Sequence, residues 1–422
     1  MTYSRKLSPI ERYYISCDKR TFPFATPCLN QMTLEGRGNI DERAWADAVR
    51  VASQANPGSR VVLKGHLGFA KWVDSGKTAP FRVVNGGDWN GQSDVGAPFL
   101  NDPLPAREGP TCEVLLAKCT TRHYIIFRSH HGAMDGRGTQ HFADDVFRVL
   151  RGQPPIGENN NLSDLELSET LTEARSELIT DEVTAPTGTP KGNNAERIWL
   201  RRTVKGKFSK VLARVAISIA NSTRRHSDTA VRFQLPVDMR ARIDGLRSTA
   251  NLSGGLVMGV NPDTTIEQWQ HTIKDNLKHL REAQIPRFMK FVPVRLLCWI
   301  SLAMMQRSNE KLAQKRMISG RYRTSGILSN LGLVPVDKYQ GGGFITDSIF
   351  FIPPDFDTTA YFLTITGTRE GVEFVLRMPR FLASEGRIEK ALDDIEYDLQ
   401  QSTRSTPDAQ TKESSKKQLV TS

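Results

Sequence analysis

A chain of 422 residues, 38% hydrophobic and 24% charged, holds enough material for two or three average domains or one large two-lobed fold; wholesale disorder and a multispanning membrane protein are excluded. The formal net charge of +11 predicts attraction to polyanions. No zinc-ligand spacing, ribonucleoprotein-type aromatic motif or basic heptad region accompanies it, so an acidic protein or a phosphate-bearing cofactor fits better than nucleic acid.

In chain order, the sequence predicts a helix from Ser8 to about Tyr14 and a strand around Leu29 to Leu34. A helix from about Asp41 to Ala55 follows, started by Asp41-Glu42 and stopped by Asn56-Pro57-Gly58. Cys112 to Ala117 and His123 to Ser129 are strand-like and are joined by the turn Thr120-Thr121-Arg122, which places His130 and His131 just past the second strand. The next helix runs from about Thr139 to Leu150, with Phe142, Val146, Val149 and Leu150 at helical spacing.

From Gly152 to about Asn194 the composition turns to Pro, Asn, Ser, Thr, Glu and Asp, with one weakly amphipathic segment near Leu165 to Leu178; this reads as a crossover between lobes. Beyond it the pattern predicts a helix from Phe208 to Arg224 and a strand from Val231 to Leu235. Further strands are expected at Gly326 to Asn330, Phe344 to Ile352, Ala360 to Gly367 and Val372 to Met378, and a last helix at about Glu385 to Gln400. The polar tail from Ser402 to Ser422 lacks aromatic residues and reads as disordered.

The apolar stretch from Phe291 to Met305 carries Arg295 and is shorter than the ~20 residues a spanning helix needs. Nine basic residues between Arg287 and Arg323 stand against Glu310 alone. They read as a solvated face of a buried helix, or as a docking surface for an acidic carrier protein or a membrane. Cys17, Cys28, Cys112, Cys119 and Cys298 are odd in number and lack Cys-x-x-Cys spacing, so they read as buried thiols. The first thirty residues contain several charges and no apolar run; no secretory signal is read there, and a cytoplasmic protein is expected.

The segment His130-His131-Gly132-Ala133-Met134-Asp135-Gly136 concentrates the chemistry. A histidine held on a loop after a strand can accept a proton near neutral pH, which acyl transfer from a thioester to a hydroxyl or amine requires. Asp135 either pairs the imidazole or anchors the loop through an arginine, and the second role is favoured. Gly136 permits a backbone geometry or a close ligand approach that a side chain would block. Metal ligation competes poorly: His130 and His131 point apart on an extended segment and no third histidine has metal-site spacing. A purely structural His-His-Asp loop remains open, while Ser-His-Asp hydrolysis lacks a Gly-x-Ser-x-Gly elbow.

The same segment resembles the HHxxxDG signature of the chloramphenicol acetyltransferase-like superfamily. Leu7-Ser8-Pro9-Ile10-Glu11 is similar to the start of condensation domains, and Arg60 matches the last arginine of their Arg-His-x-x-Leu-Arg stretch, whose first arginine and histidine are absent here. Leu235-Pro236-Val237-Asp238-Met239-Arg240, followed by Asn251-Leu252-Ser253-Gly254-Gly255, and Ser329-Asn330-Leu331-Gly332 resemble further motifs. The resemblance spans about residues 7 to 400. Neither the Asp-Phe-Gly-Trp-Gly segment of plant BAHD acyltransferases nor the Ser-Asn-Val-Pro-Gly-Pro pattern of wax ester synthases occurs. The nearest branches are free-standing condensation domains of nonribosomal peptide synthetases and the mycobacterial polyketide-associated acyltransferases.

The resemblance implies an α/β fold of two acyltransferase-like lobes in a V with an active-site tunnel at their junction. Residues 1–155 would form the first lobe, 156–195 the crossover linker, 196–401 the second lobe and 402–422 the tail. His131 would be the base, beside His130; Asp135 would pair with Arg60 or Arg240; Gly136 would flank the donor arm; and Ser253, Ser329 and Asn330 would bind it. No cofactor is expected to be tightly bound and no metal is implied. The donor would come in trans, on the phosphopantetheine arm of an acyl or peptidyl carrier protein or as acyl-coenzyme A, to meet an amine or alcohol on a monomeric enzyme. A non-catalytic carrier-binding module of the same fold and a membrane-peripheral lipid O-acyltransferase are the competing readings.

Overall fold

The computed structural model describes residues 3–18, 28–286 and 294–404. Local signals act as read at the N-terminus. Ser8 caps the helix Pro9–Ser16 in a capping box with Glu11, and Asp41 caps Glu42–Ala55, each carboxylate or hydroxyl satisfying amide groups that the first turn leaves unpaired. The helix Gly136–Leu150 begins three residues before the expected Thr139, because the Asp135 side chain accepts a hydrogen bond from the Gly138 amide and starts it there.

Among the described residues the strands form two six-stranded sheets, a three-stranded one of Ser4–Lys6, Lys71–Asp74 and Val61–Lys64, and two two-stranded pairs. The first runs Gln340–Gly341, Phe344–Ile352, Leu29–Arg37, His123–His130, Cys112–Cys119, Phe81–Gly87. Its fourth and fifth strands are the expected hairpin. The second runs Arg197–Lys205, Gly371–Pro379, Phe362–Gly367, Gly326–Leu333, Val231–Asp238, Ser253–Val260. Helices Glu42–Ala55 and Gly136–Leu150 pack Trp45, Ala52, Phe142 and Val146 onto Met32, Val114 and Phe127 of the first sheet. Helices Val211–Arg224 and Arg387–Arg404 cover the second with Val215, Ile219, Ile388 and Leu392.

The boundary drawn at residue 196 does not divide the sheets. Phe344–Ile352 pairs antiparallel with Leu29–Arg37, with Ile349 opposite Leu34, so a strand expected in the second lobe belongs to the sheet that carries the histidines. Burial explains the crossing. Ile349 and Phe351 enter the core under the first-lobe helices, while Phe350 and Ile352 meet Trp199 and Val375 of the second sheet; a strand with two apolar faces is stable only between two layers.

The crossover is ordered as well. Ser163 caps the helix Asp164–Leu171, Arg175–Ser176 pairs with Ile285–Pro286, and Val183–Thr184 pairs with Arg321–Tyr322. The basic segment contains the helices Val294–Leu297 and Leu302–Ser319; residues 287–293 lie outside the described part. Of the expected tail, residues 402–404 continue the last helix and the rest lie outside the described part. None of the helices among the described residues is long and apolar enough to cross a membrane.

Strands Phe81–Gly87, Arg197–Lys205 and Ser253–Val260 and the helix Ile266–Lys278 were not anticipated. In Arg197–Lys205 the buried positions are Arg197, Trp199, Arg201 and Val204, so two charged side chains occupy the inward face and the hydrophobic alternation is broken. Arg201 joins the two sheets: it donates to Glu35 (2.6 Å) in the first, to Glu373 (2.8 Å) in the second and to the Ser348 hydroxyl (3.0 Å). Its guanidinium lies over the Phe350 ring at 4.1 Å. Replacing Arg201 with Ala leaves buried Glu373 without its cation and Glu35 with only the half-exposed Arg122, and the variant is expected to lose about 3–5 kcal/mol of stability in denaturant unfolding. A loss under 1 kcal/mol would show that water screens this contact.

Candidate active site

His131 follows the strand His123–His130, and its amide donates to the Cys28 carbonyl at 2.8 Å, prolonging the pairing between strands one residue further. Extended backbone sends the adjacent side chains to opposite faces. His130 turns away from the cavity: its Nε2 lies 2.9 Å from the Asp18 carboxylate, its Nδ1 accepts from the Gly132 amide at 2.9 Å, and it packs edge-on to Trp72. It supports the loop from behind.

The His131 ring joins an aromatic cluster, stacked on Tyr14 at 4.0 Å and beside Phe356 at 5.5 Å. Its Nδ1 sits 3.2 Å from the Met134 carbonyl and 3.1 Å from Asn30 Nδ2, which itself donates to the same carbonyl at 2.7 Å. Asn251 donates to the His131 carbonyl at 2.8 Å. Nε2 takes no hydrogen bond among the described residues. Burial removes water from the imidazolium and lowers the pKa to about 4, against the opposing pull of the Met134 carbonyl and the Asp135 carboxylate. The ring is neutral at pH 7.

Asp135 does not touch that ring by hydrogen bond; it is saturated elsewhere. Arg240 grips it with two parallel bonds, Nη2 to Oδ1 at 3.0 Å and Nη1 to Oδ2 at 3.1 Å. The carboxylate also accepts from the Gly138 amide (2.7 Å), the Leu252 amide (2.8 Å) and the Ser253 hydroxyl (2.9 Å). Burial alone would raise its pKa, but Arg240 and the amides override that and leave it below the ordinary carboxylate value. Arg240 is held in turn by Asp238 and by the Ser248 and Ala250 carbonyls. Of the two candidate arginines, then, Arg240 pairs with Asp135; Arg60 pairs with Asp74 at 2.6 Å.

The cavity reached by His131 measures about 610 Å³ and lies between the sheets. Asn30, Gln31 and Phe351 line it from the first sheet, Leu235, Ile327 and Thr364 from the second, and Leu165 and Ser168 from the crossover helix. Gly136 lines it with negative φ, and a Cβ there would meet open space; what its missing side chain preserves is cavity volume. The glycine demanded by packing is its neighbour Gly138, where a Cβ would lie 2.1 Å from the Thr249 carbonyl. Ser253 reaches the cavity wall but spends its hydroxyl on Asp135. Ser329 and Asn330 line the wall at the bulge of the strand Gly326–Leu333, where Asn330 Oδ1 accepts from the Gly332 amide at 3.1 Å. Tyr14, Asn30 and Gly138 carried no signal beyond proximity to recognisable motifs, and Asn251 lay inside one without an assigned role. The described residues contain no cluster of three or more His, Cys, Asp or Glu placed to hold a metal.

No family model and no curated protein matches the sequence. Solved structures match over nearly the whole chain. The first condensation domain of the CDA synthetase is 14% identical with a TM-score of 0.62, covering 94% of this chain and 95% of that one. The condensation domain from Monacolin K polyketide synthase MokA is 11% identical with a TM-score of 0.61, covering 96% and 98%. Polyketide synthase associated protein 5 from Mycobacterium tuberculosis is 13% identical with a TM-score of 0.60, covering 94% and 96%. This chain has the condensation-domain fold. The expected fold is thereby borne out at the level of architecture.

Two outcomes follow for the condensation fold of this chain. Arg240→Ala uncovers a fully buried carboxylate and is expected to cost about 3–5 kcal/mol in denaturant unfolding, whereas Arg60→Ala, at a partly exposed pair, is expected to cost about 1 kcal/mol; equal costs would contradict the pairing. Because the folded-state pKa of His131 lies below its unfolded value, the unfolded chain takes up this proton first as pH falls. Its contribution is full above pH ~6.5, declines towards pH 4 and is constant below, a loss of roughly 3 kcal/mol. Unfolding midpoints of wild type and His131→Asn should therefore converge across that window; parallel curves would show that the ring is solvated.

Proposed function

We propose that this protein is an acyltransferase that moves an acyl group from a thioester, carried on the phosphopantetheine arm of a carrier protein or on coenzyme A, to an amine or hydroxyl acceptor. One observation carries the reading: a neutral imidazole with an unengaged Nε2 lines a cavity large enough for two reacting groups, at the meeting of the two sheets. The fold shared with condensation domains supports it.

In this reading His131 donates its Nδ1 proton to the Met134 carbonyl, which keeps the Nε2 lone pair directed at the acceptor. As the acceptor attacks the thioester carbonyl, Nε2 takes its proton; the carbon–sulfur bond breaks, and the imidazolium passes the proton to the departing thiolate. A base with a pKa near 4 is weak, so proton transfer must accompany bond formation rather than precede it, and an amine must arrive uncharged. The same low value makes the imidazolium a strong acid toward the leaving thiolate. Asp135 acts through Arg240 by fixing the loop. Ser329 and Asn330 supply polar wall for the amide groups of a donor arm, and Gly136 leaves it room.

The assay is acyl thioester with a panel of amines and alcohols, followed by released thiol and intact mass of the product. His131→Ala is expected to lower turnover roughly 100- to 10,000-fold. For wild type with an alcohol acceptor, kcat/KM is expected to hold level as pH falls from 8 and to decline only as the imidazole titrates near 4. Unchanged turnover in the variant defeats the assignment of the base. Tight carrier binding with no transfer to any acceptor defeats catalysis and favours a recruitment module.

A further inference from the structure

The turn Leu67–Phe69 connects the strands Val61–Lys64 and Lys71–Asp74 and holds apolar side chains out of the protein. Phe69 is 75% exposed and stands edge-on to Trp299, itself 50% exposed, at 5.3 Å. Leu296, one turn before Trp299, is 53% exposed and Met304, at the start of the next helix, 58%. Such a grouping is unusual on a surface that meets only water.

The turn is built rather than loose. Leu67 adopts a left-handed backbone with φ +49°, a conformation that costs a leucine energy and persists only when its surroundings enforce it. Arg12 donates to the Leu67 carbonyl and Arg107 to that of Gly65 (3.2 Å), bracing the turn from beneath. Gly68 lets Trp299 lie against the backbone, since a Cβ there would come within 2.8 Å of the indole.

Behind the turn, the three-stranded sheet sets Lys6 opposite Lys71 and Lys71 opposite Lys64. Directly opposed like charges destabilise a sheet, and all three lysines are exposed. Lys6 reaches Glu166 only at 4.0 Å with its side chain 85% exposed, and Lys64 and Lys71 take no ion pair among the described residues. An aromatic pair beside a row of exposed lysines, two of them without an ion pair among the described residues, matches an interface with acyl chains within and negative charge at the surface.

We propose that the Leu67–Phe69 turn and Trp299, with the Lys6, Lys71 and Lys64 row behind them, form a docking surface for an anionic lipid bilayer. A second copy of the chain fits worse, because a two-fold contact would set the lysine row against itself. The helix Pro9–Ser16 links this surface to the reaction site: Arg12 braces the turn, while Pro9, Ile10 and Tyr14 line the cavity. A docked enzyme would present its cavity one helix away from the lipid, within reach of amphiphilic substrates.

The test is flotation of the full chain with phosphatidylcholine vesicles and with vesicles of equal parts phosphatidylcholine and phosphatidylserine, without substrate, so that its failure and a failure of acyl transfer are separate results. Binding is expected to the anionic vesicles alone, and to weaken with added salt. The exposed pair Phe69→Ser with Trp299→Ser, and separately Lys64→Gln with Lys71→Gln, should each weaken it roughly tenfold or more. Tyr397→Ser, at an exposed aromatic on the last helix, should leave it unchanged. No vesicle binding at low salt overturns the proposal, as does binding that survives both double variants. It is likewise overturned if light scattering shows a dimer that the aromatic variants dissolve, or if an acidic carrier protein binds this surface while vesicles do not.

Discussion

The structure turns on a buried ion pair. Asp135 and Arg240 come from opposite halves of the chain, and both are almost wholly withdrawn from water. Two charges so placed recover their desolvation only when every lone pair and proton is used, and here the carboxylate takes the guanidinium fork, two amides and a hydroxyl. That completeness dictates the neighbourhood. It starts the helix Gly136–Leu150, holds the segment from Ser248 to Ser253 against that helix, and obliges Gly138 to lack a side chain. The loop carrying His131 is therefore positioned by an interaction whose partner lies more than one hundred residues away.

The same desolvation acts on His131 in the opposite sense. A carboxylate with a bidentate cation stays charged when buried, whereas an imidazole offered only carbonyl, amide and ring neighbours loses its proton. Two adjacent functional groups of one motif thus reach opposite charge states, one permanently ionised and structural, the other neutral and chemically available. His130, a single residue earlier, is turned by strand geometry to a carboxylate outside the cavity, so the doubled histidine of the motif is one ring behind the loop and one ring facing the cavity.

Charge buried between layers also explains what the sequence concealed. Arg201 spends its guanidinium on Glu35 and Glu373, and Arg197 and Arg377 both approach Asp355. Their strands carry inward-facing cations, so period-two hydrophobicity is broken where the layers meet. Strands apolar on both faces, such as Cys112–Cys119 and His123–His130, were legible as near-continuous apolar runs around a turn. The glycine-rich edge strand Ser253–Val260 offered no such run.

Local chemistry read from the sequence determined the capped helices, the central hairpin, the placement of His131 just beyond a strand, and the anchoring role of Asp135, since capping groups, turn residues and alternating side chains act within a few positions. Motif order along the chain was enough to indicate the fold. Tertiary structure alone decided that Arg240 rather than Arg60 holds the loop, that Phe344–Ile352 crosses into the first sheet, and that the imidazole is neutral and stacked on Tyr14. Those outcomes depend on which distant groups share a space from which water is excluded, and spacing along a chain does not encode that distance.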